Sequence, residues 1–201
     1  MLRRDMLAAE EGNQMILSNE AYGINISKAD YPLRSAETPK YSRIFNLHGY
    51  KESDFHAAFV IQVKTVCDEV CVALIGSFYA NAEHCAVLEG TSLTVLMDNE
   101  IVRFDLSDMS IVQHKSIGNE TYFSIYPIIN GYLVHGELSI LRLDKDFQQV
   151  WNFSGSDIWV IQEEKRAAFR IENDQIFLED WNGIKYALNM DGKLLWDTYN
   201  K

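Results

Sequence analysis

The side chains in this sequence best suited to chemistry are histidines and cysteines, and the histidines follow no familiar catalytic spacing. No two histidines stand four residues apart, so the H-x-x-x-H and H-E-x-x-H signatures of zinc hydrolases are missing. The sequence also has no G-x-S-x-G nucleophile elbow and no glycine-rich phosphate loop. Local motifs therefore do not support a common hydrolase or nucleotide-binding class. The histidines are His48, His56, His84, His114 and His135.

Three cysteines offer a second route to chemistry, as metal ligands or as disulfides. Cys67 and Cys71 are separated by three residues, not by the two of a common zinc knuckle, and His84 stands beside Cys85. We favour the interpretation of small buried apolar residues, because free cysteine is usually buried. An odd number leaves at least one thiol unpaired, which favours a reducing compartment. We therefore predict no metal, no cofactor and a cytoplasmic location.

Carboxylates recur in pairs at predicted turns, as in Asp105 with Asp108 and Asp144 with Asp146. A calcium loop would need more oxygen ligands at regular spacing, and usually a glycine. Asp and Asn also begin turns by accepting hydrogen bonds from their own backbone. Turn formation therefore explains these pairs without a metal ion.

All four tryptophans lie in the last third of the sequence. Trp151 and Trp196 occupy equivalent places in a weak internal repeat, so packing between sheets is the favoured interpretation for both. Trp181 stands directly before the turn signal Asn182-Gly183, where its side chain would be exposed. Aromatic residues are enriched at the centres of protein interfaces. We therefore predict Trp181, and second Trp159, as binding residues.

The apolar pattern predicts strands along most of the sequence. Residues 57–66 alternate with a period of two, and residues 70–79 form an apolar run typical of a strand buried on both faces. After residue 84, short strands alternate with turn signals, of which Asn182-Gly183 and Asp191-Gly192 predict type I′ hairpins. At the start of the sequence Asp5, Glu10 and Glu11 interrupt any apolar core, which predicts a short N-terminal helix or a frayed lead-in and no secretion signal. No apolar run reaches the length of a membrane helix.

A two-strand unit recurs about every 40 residues in the second half. Residues 142–151 align with residues 187–196, so that Asp144 falls on Asn189 and Trp151 on Trp196. A weaker third copy covers residues 103–112, with Asp105 at the turn. The shared pattern is a strand that ends in an apolar residue, a polar turn, and a strand that ends in a large apolar residue.

The last copy resembles the blade repeat of quinoprotein-type β-propellers, which combines an Ala-x-Asp turn, Gly-Lys and a docking Trp. The matching residues are Ala187, Asn189, Gly192, Lys193 and Trp196. Asn replaces Asp, and the turn is one residue short. The resemblance implies blades without quinone chemistry, over three units in residues 84–201.

Propellers usually close with four to eight blades, so three units are too few for a ring. Residues 1–83 could supply further degenerate blades, or the sheets could form an open, propeller-like stack. The alternative is a β-sandwich of consecutive hairpins whose turns look alike. We predict a mainly β fold in one domain over residues 1–201, with a possible division into an irregular β part at 1–83 and three blade-like repeats at 84–201.

Charge narrows the function classes. The 201 residues hold 18 Lys and Arg against 29 Asp and Glu, for a net charge of −11. Nucleic acids and anionic membrane surfaces both attract basic patches, so neither is an expected partner. We predict a non-catalytic protein-interaction module, for which an immunity-type inhibitor of a basic partner is one concrete form.

Two other functions remain open from sequence. The first is an enzyme or small-ligand-binding protein whose site is assembled from distant loops, since such sites leave no local motif. A pocket that collects His56, His84 or His135 with carboxylates would favour it. The second is a subunit of a larger β assembly, suggested by the low blade count. The sequence leaves the oligomeric state open.

Overall fold

A computed structural model describes residues 14–30, 41–51, 53–54, 56–77, 84–160 and 167–199. These residues form seventeen strands in four sheets. The strands are β1 (Gln14–Ser18), β2 (Gly23–Asp30), β3 (Arg43–Asn46), β4 (Ala57–Lys64), β5 (Glu69–Ser77), β6 (Ala86–Glu89), β7 (Ser92–Met97), β8 (Glu100–Asp105), β9 (Ser110–Ser116), β10 (Tyr122–Ile128), β11 (Gly131–Gly136), β12 (Ile140–Leu143), β13 (Gln149–Phe153), β14 (Phe169–Glu172), β15 (Gln175–Glu179), β16 (Lys185–Asn189) and β17 (Leu194–Asp197).

The mainly β class with short sheets is confirmed, and three of the four sheets have the blade-like form that the repeat implied. β6–β9, β10–β13 and β14–β17 are four-stranded antiparallel meanders in chain order. The predicted N-terminal helix falls on residues that lie almost wholly outside the described part, where the first described strand begins at Gln14. No helix in the described part is long and apolar enough to cross a membrane.

Contacts divide the chain into two compact units, Met1–Ser116 and Ile117–Lys201. The first unit holds an N-terminal sheet of order β1-β2-β4-β5-β3 and the second sheet, β6–β9. The other unit holds the third sheet, β10–β13, and the fourth sheet, β14–β17. The boundary suggested between residues 83 and 84 lies inside the first unit, between its two sheets.

The N-terminal sheet is built on the two strands with the strongest apolar pattern. β4 and β5 form a hairpin whose turn is closed by the Thr65 amide, which donates to the Asp68 carbonyl at 2.8 Å. The β5 residues Val72 to Ile75 are all buried, as the continuous apolar run predicts. β3 adds to this sheet as a parallel edge strand beside β5, which no sequence pattern indicated.

The repeated turn has the same place in each blade-like sheet, between the third and fourth strands. The side chains of Asp105, Asp144 and Asn189 accept hydrogen bonds from backbone amides two residues later. A register shift accompanies each turn: one residue of the fourth strand, Val112, Val150 or Leu195, is skipped in the pairing with the third strand. The sequence repeat therefore reflects one turn structure that occurs three times. In each copy a carboxylate or amide oxygen accepts hydrogen bonds from the backbone.

Both expected hairpins form, but neither has the predicted type I′ turn. Gly183 and Gly192 both have a φ of 78°, but the residues before them lie outside the left-handed region. The connections β15–β16 and β16–β17 are longer than the two residues that a type I′ turn needs. The two-residue connection between β14 and β15 does have positive φ at both positions, 51° at Asn173 and 57° at Asp174.

Candidate functional site

Trp181 lies on a connection that several hydrogen bonds hold in place. Its side chain is 47 % exposed, while its backbone amide donates to the Ile158 carbonyl at 2.9 Å. Beside it, the Asn182 side chain donates to the Asp157 carboxylate at 2.7 Å. Trp181 therefore presents a large apolar surface at little loss of conformational entropy, as an interface anchor should.

A buried carboxylate anchors the Trp181 connection from below. Asp180 is 1 % exposed and accepts hydrogen bonds from the Ser156 hydroxyl at 2.6 Å and the Tyr186 hydroxyl at 3.0 Å. Its other oxygen accepts from the Ile184 amide at 2.9 Å. Burial raises the pKa of the Tyr186 phenol; bonds with Ser156 lower it, and the Asp180 carboxylate adds to the increase. The phenol therefore remains a donor to Asp180 at neutral pH.

Trp159, the second predicted binding residue, is a core residue. Its side chain is 1 % exposed and packs edge-on against Tyr186, with ring centroids 5.4 Å apart. Gly155 lies so close that a Cβ there would be 2.4 Å from the indole ring. The segment 157–160 that carries Trp159 is irregular. We therefore assign Trp159 to packing and remove it from the candidate binding surface.

The third and fourth sheets carry equivalent cross-strand rows, and only one row is covered. In the third sheet the row runs through Tyr126, Leu133, Arg142 and Trp151. Its members pack on the fourth sheet: Leu133 is fully buried, and the Trp151 indole donates to the Met190 carbonyl at 3.2 Å. Trp151 also lies over the turn at Gly192, where a Cβ would be 2.6 Å from its ring.

The equivalent row of the fourth sheet runs through Arg170, Phe177, Ala187 and Trp196, and we call it the outer face. Trp196 is 44 % exposed, and its ring centroid lies 6.4 Å from that of Phe177. The Arg170 guanidinium lies over the Phe177 ring at 4.5 Å. Within this unit the described part of the chain has no sheet over the outer face. The packing role expected for both repeat tryptophans therefore holds for Trp151 alone.

A separate polar cluster lies in the first unit. Oε2 of Glu100 is 2.8 Å from Nε2 of His48 and 2.9 Å from Nε2 of His114. The three possible ligand atoms all lie within 4.8 Å of one another. In the part of the chain that the structure describes, this is the only grouping of three His, Cys, Asp or Glu side chains close enough to share a metal ion. We call it the His–Glu–His cluster.

Three elements position the cluster: β8, β9 and the turn after β3. Glu100 begins β8, and His114 on β9 faces Val102, so the antiparallel register places both side chains on one face. His48 comes from the turn after β3. That turn is closed by Asn46, whose side chain accepts from the Tyr50 amide and donates to the Tyr50 carbonyl, both at 2.9 Å.

The cluster favours an ionised carboxylate. Partial burial raises the pKa of Glu100, but hydrogen bonds from His48 and His114 outweigh it and hold the pKa below its ordinary value. Nearby, burial raises the pKa of the Tyr50 phenol, and the carboxylates of Glu100, Asp98 and Asp54 raise it further. The surroundings therefore carry negative potential that attracts cations.

The three histidines named for an enzyme pocket lie elsewhere. His56 is buried and stacks on Tyr50 with ring centroids 3.6 Å apart, and His84 is exposed at a φ of 52°. His135 stacks on Phe169 at 5.2 Å and donates from Nε2 to the Trp159 carbonyl at 3.1 Å. The structure therefore gathers His48 and His114 around a carboxylate, a grouping that sequence reasoning missed.

The imidazole of His135, half-buried and strongly desolvated, predicts a fold that loses stability in acid. Desolvation lowers its pKa to about 4, with partial opposition from the Trp159 carbonyl. The unfolded chain then binds a proton near pH 6.5 that the folded chain refuses, so stability falls as pH drops from about 6.5 towards 4. The slope contributed is at most about 1.4 kcal/mol per pH unit.

Denaturant titrations between pH 7 and 4.5 measure this dependence. The variant His135→Gln keeps a donor for the Trp159 carbonyl, and we expect it to flatten the decline. His84→Asn is the matched control, because Asn tolerates the positive φ, and we expect it to keep the wild-type slope. Equal slopes for wild type and His135→Gln would contradict the prediction.

Two open clefts lie among the described residues. One, of about 410 Å³, lies in the first unit beside Arg43 and Asp108. The other, of about 610 Å³, lies in the second unit beside Arg142 and Asp174. The Arg142 guanidinium already donates to the Ile129 carbonyl at 3.1 Å, so the cleft's main cation has a structural role. Neither cleft is lined by a histidine.

Comparisons with known proteins place the fold but give no family. No protein-family model matches the chain, and a search of curated proteins finds no match. Among solved structures, the chain is similar to the computationally designed Ika8 protein, with a TM-score of 0.50 and 7 % identity over 90 % of this chain and 60 % of that one.

Two natural structures are also similar. BamB from Moraxella catarrhalis matches with a TM-score of 0.48 and 8 % identity, over 92 % of this chain and 61 % of that one. The Pan2 WD40 domain from Neurospora crassa matches with a TM-score of 0.43 and 9 % identity, over 57 % and 37 %. The chain therefore spans between about a third and three fifths of the length of these structures, and at such identities the likeness concerns the fold alone.

Proposed function

We propose that this protein is a non-catalytic protein-interaction module that binds its partner through the outer face of the fourth sheet. The supporting observation is that the two equivalent rows differ in whether another sheet covers them. The row around Trp151 is covered by the fourth sheet, whereas the row around Trp196 has no such cover among the described residues of the second unit, and Trp196 is 44 % exposed. The aromatic pair of this row, the exposed Trp196 and the half-buried Phe177, suits a second β-structure.

The covered row indicates what the partner should present. Trp151 takes a backbone carbonyl for its indole N–H and a turn glycine beneath its ring. A partner for Trp196 should offer the same two features, a β-turn with a glycine and an accessible carbonyl. Leu195, beside Trp196 on the edge strand β17, is 46 % exposed and adds apolar area at this edge of the sheet.

Charge supports a basic partner. The net charge of −11 gives the protein a negative field that would speed association with a cationic surface. The most specific form of the proposal is an immunity-type inhibitor that shields such a partner. The cytoplasm is the proposed location, since Cys67, Cys71 and Cys85 are all free thiols. Trp181 is a proposed second contact.

The test starts from covalent capture at the proposed face. A photo-crosslinking amino acid at Leu195, introduced in the full chain, should capture one basic protein in the producing cells. That protein, once purified, should bind the wild type at a 1:1 ratio, with weaker binding at raised salt concentration. An immunity role further requires that the complex lacks the partner's own activity, and an active 1:1 complex would exclude that role.

The variant Trp196→Ala should weaken this binding at least tenfold, because hot-spot aromatics carry about 2 kcal/mol or more. Val66→Ala is the control, since Val66 is 94 % exposed in the other unit and should leave the dissociation constant unchanged. Equal affinities for wild type and Trp196→Ala would contradict the proposal. Capture of further copies of this chain alone would instead make the outer face a self-association surface.

A second candidate function, an enzyme or small-ligand-binding protein, is favoured by one observation. The His–Glu–His cluster joins residues that are 52 and 14 positions apart, as a site assembled from distant segments would. Its simplest test is whether the cluster binds a cation.

A further inference from the structure

The His–Glu–His cluster has the composition and spacing of a metal site. Imidazole nitrogen and carboxylate oxygen together suit first-row transition metals, and two His with one carboxylate is a recurrent ligand set. We propose that His48, Glu100 and His114 bind a divalent transition-metal cation such as Zn²⁺. This site lies in the first unit and does not depend on partner binding by the second.

The distances fit coordination by all three residues. In the tetrahedral geometry of protein Zn²⁺ sites, ligand atoms bound at about 2.0–2.1 Å lie about 3.3–3.4 Å apart. Nε2 of His48 and Nε2 of His114 lie 2.8 and 2.9 Å from Oε2 of Glu100. The third pair, the two Nε2 atoms, lies within 4.8 Å. One ion can therefore contact all three atoms after the Glu100 carboxylate shifts by about half an ångström and the two exposed imidazoles rotate to face the ion.

The protons in the cluster are compatible with replacement of its two hydrogen bonds by a bound cation. An ionised carboxylate only accepts hydrogen bonds, so each Nε2 atom carries a proton in the metal-free cluster. A bound cation takes the lone pair of each Nε2, and each proton leaves to solvent or moves to Nδ1. The carboxylate supplies one negative charge towards the cation.

The supporting groups restrict where the ligands can point. The Asn46 bonds close the turn that carries His48, and the Tyr50 ring lies 5.3 Å from the His48 ring. Gly76 admits this packing, because a Cβ there would be 3.1 Å from the Tyr50 ring. Three protein ligands leave coordination positions for water, as in open zinc sites.

The cluster's accessibility allows a cation to enter. His48 is 36 % exposed, His114 30 % and Glu100 17 %, measured on their side chains. This exposure also means that replacing either imidazole should not disturb the core. The variants are therefore expected to fold.

The decisive experiment titrates ZnCl₂ into the full chain by isothermal titration calorimetry. Cys67→Ser is the background, because Cys67 is an exposed thiol that could bind Zn²⁺ by itself. We expect one Zn²⁺ per chain, and at least a tenfold weaker dissociation constant for both His48→Ala and His114→Ala. The control His84→Asn changes a histidine outside the cluster and should bind like the background.

Thermal unfolding provides the second readout. Saturating Zn²⁺ should raise the unfolding temperature of the background and of His84→Asn, and leave His48→Ala and His114→Ala unchanged. If a histidine variant unfolds early without metal, Glu100→Gln replaces it as the test. Absence of stoichiometric Zn²⁺ binding in the background, or equal affinity in the cluster variants, would overturn the proposal.

Discussion

Replacement of Asp180 by alanine is expected to lower the free energy of unfolding by about 3–5 kcal/mol, the range for breaking a buried charged network. The carboxylate is 1 % exposed and is the shared acceptor of Ser156 and Tyr186. Without it, both hydroxyls lose a buried partner, and the Ile184 amide loses its acceptor. Urea denaturation at neutral pH measures the loss.

Two further variants separate the network from the loss of a charge alone. Asp180→Asn keeps an acceptor for the Ile184 amide but replaces the oxygen that accepts both hydroxyl groups, so an intermediate loss is expected. Asp191→Ala removes an exposed carboxylate from a turn of the same sheet and should change stability by less than about 0.5 kcal/mol. Equal effects of Asp180→Ala and Asp191→Ala would contradict the anchoring role.

Replacement of Gly192 by alanine is expected to lower the free energy of unfolding by about 2–4 kcal/mol. Two effects combine there: the left-handed φ of 78° is unfavourable for alanine, and the new Cβ would lie 2.6 Å from the Trp151 ring. Thermal or urea unfolding gives the measurement. The change would also disrupt the packing of Trp151 on Gly192. The docking of Trp196 on its partner was proposed by analogy with that packing.

Gly183 provides an unusually close control for Gly192. It has the same φ of 78°, but its Cβ would meet nothing nearer than a Glu179 oxygen at 3.9 Å. Gly183→Ala should therefore lose only the backbone component, about 1–2 kcal/mol. If the two alanine variants were equally stable, contact with Trp151 would not be what fixes the turn.

The features that sequence predicted well are those with a local physical cause. The Asp or Asn side chains at residues 105, 144 and 189 accept hydrogen bonds from the backbone within their own turns. The repeat could therefore be recognised from the sequence alone. The continuous apolar run predicted the buried β5 in the same way. The prediction of Trp159 as a binding residue was wrong because its burial depends on tertiary contacts with Tyr186 and Gly155.

Only one part of the His–Glu–His cluster, the pair of Glu100 and His114, could be predicted from the sequence. Strands close to β8 and β9 were expected, and pairing them in register would have brought Glu100 near His114. His48 could not be placed, because it depends on β3 joining the N-terminal sheet in parallel beside β5. A short edge strand with this crossover leaves no periodic signal in the chain.

The parallel position of β3 also implies an order of events in folding. β4 and β5 can close as a hairpin through a short loop, whereas Arg43–Asn46 pairs with residues 72–75 across a much longer loop and is expected to do so later. The edge strand is thus expected to join late and to open first under native conditions. Each such opening would carry His48 away from Glu100, so the cluster exists only while the last-formed pairing of its sheet is closed.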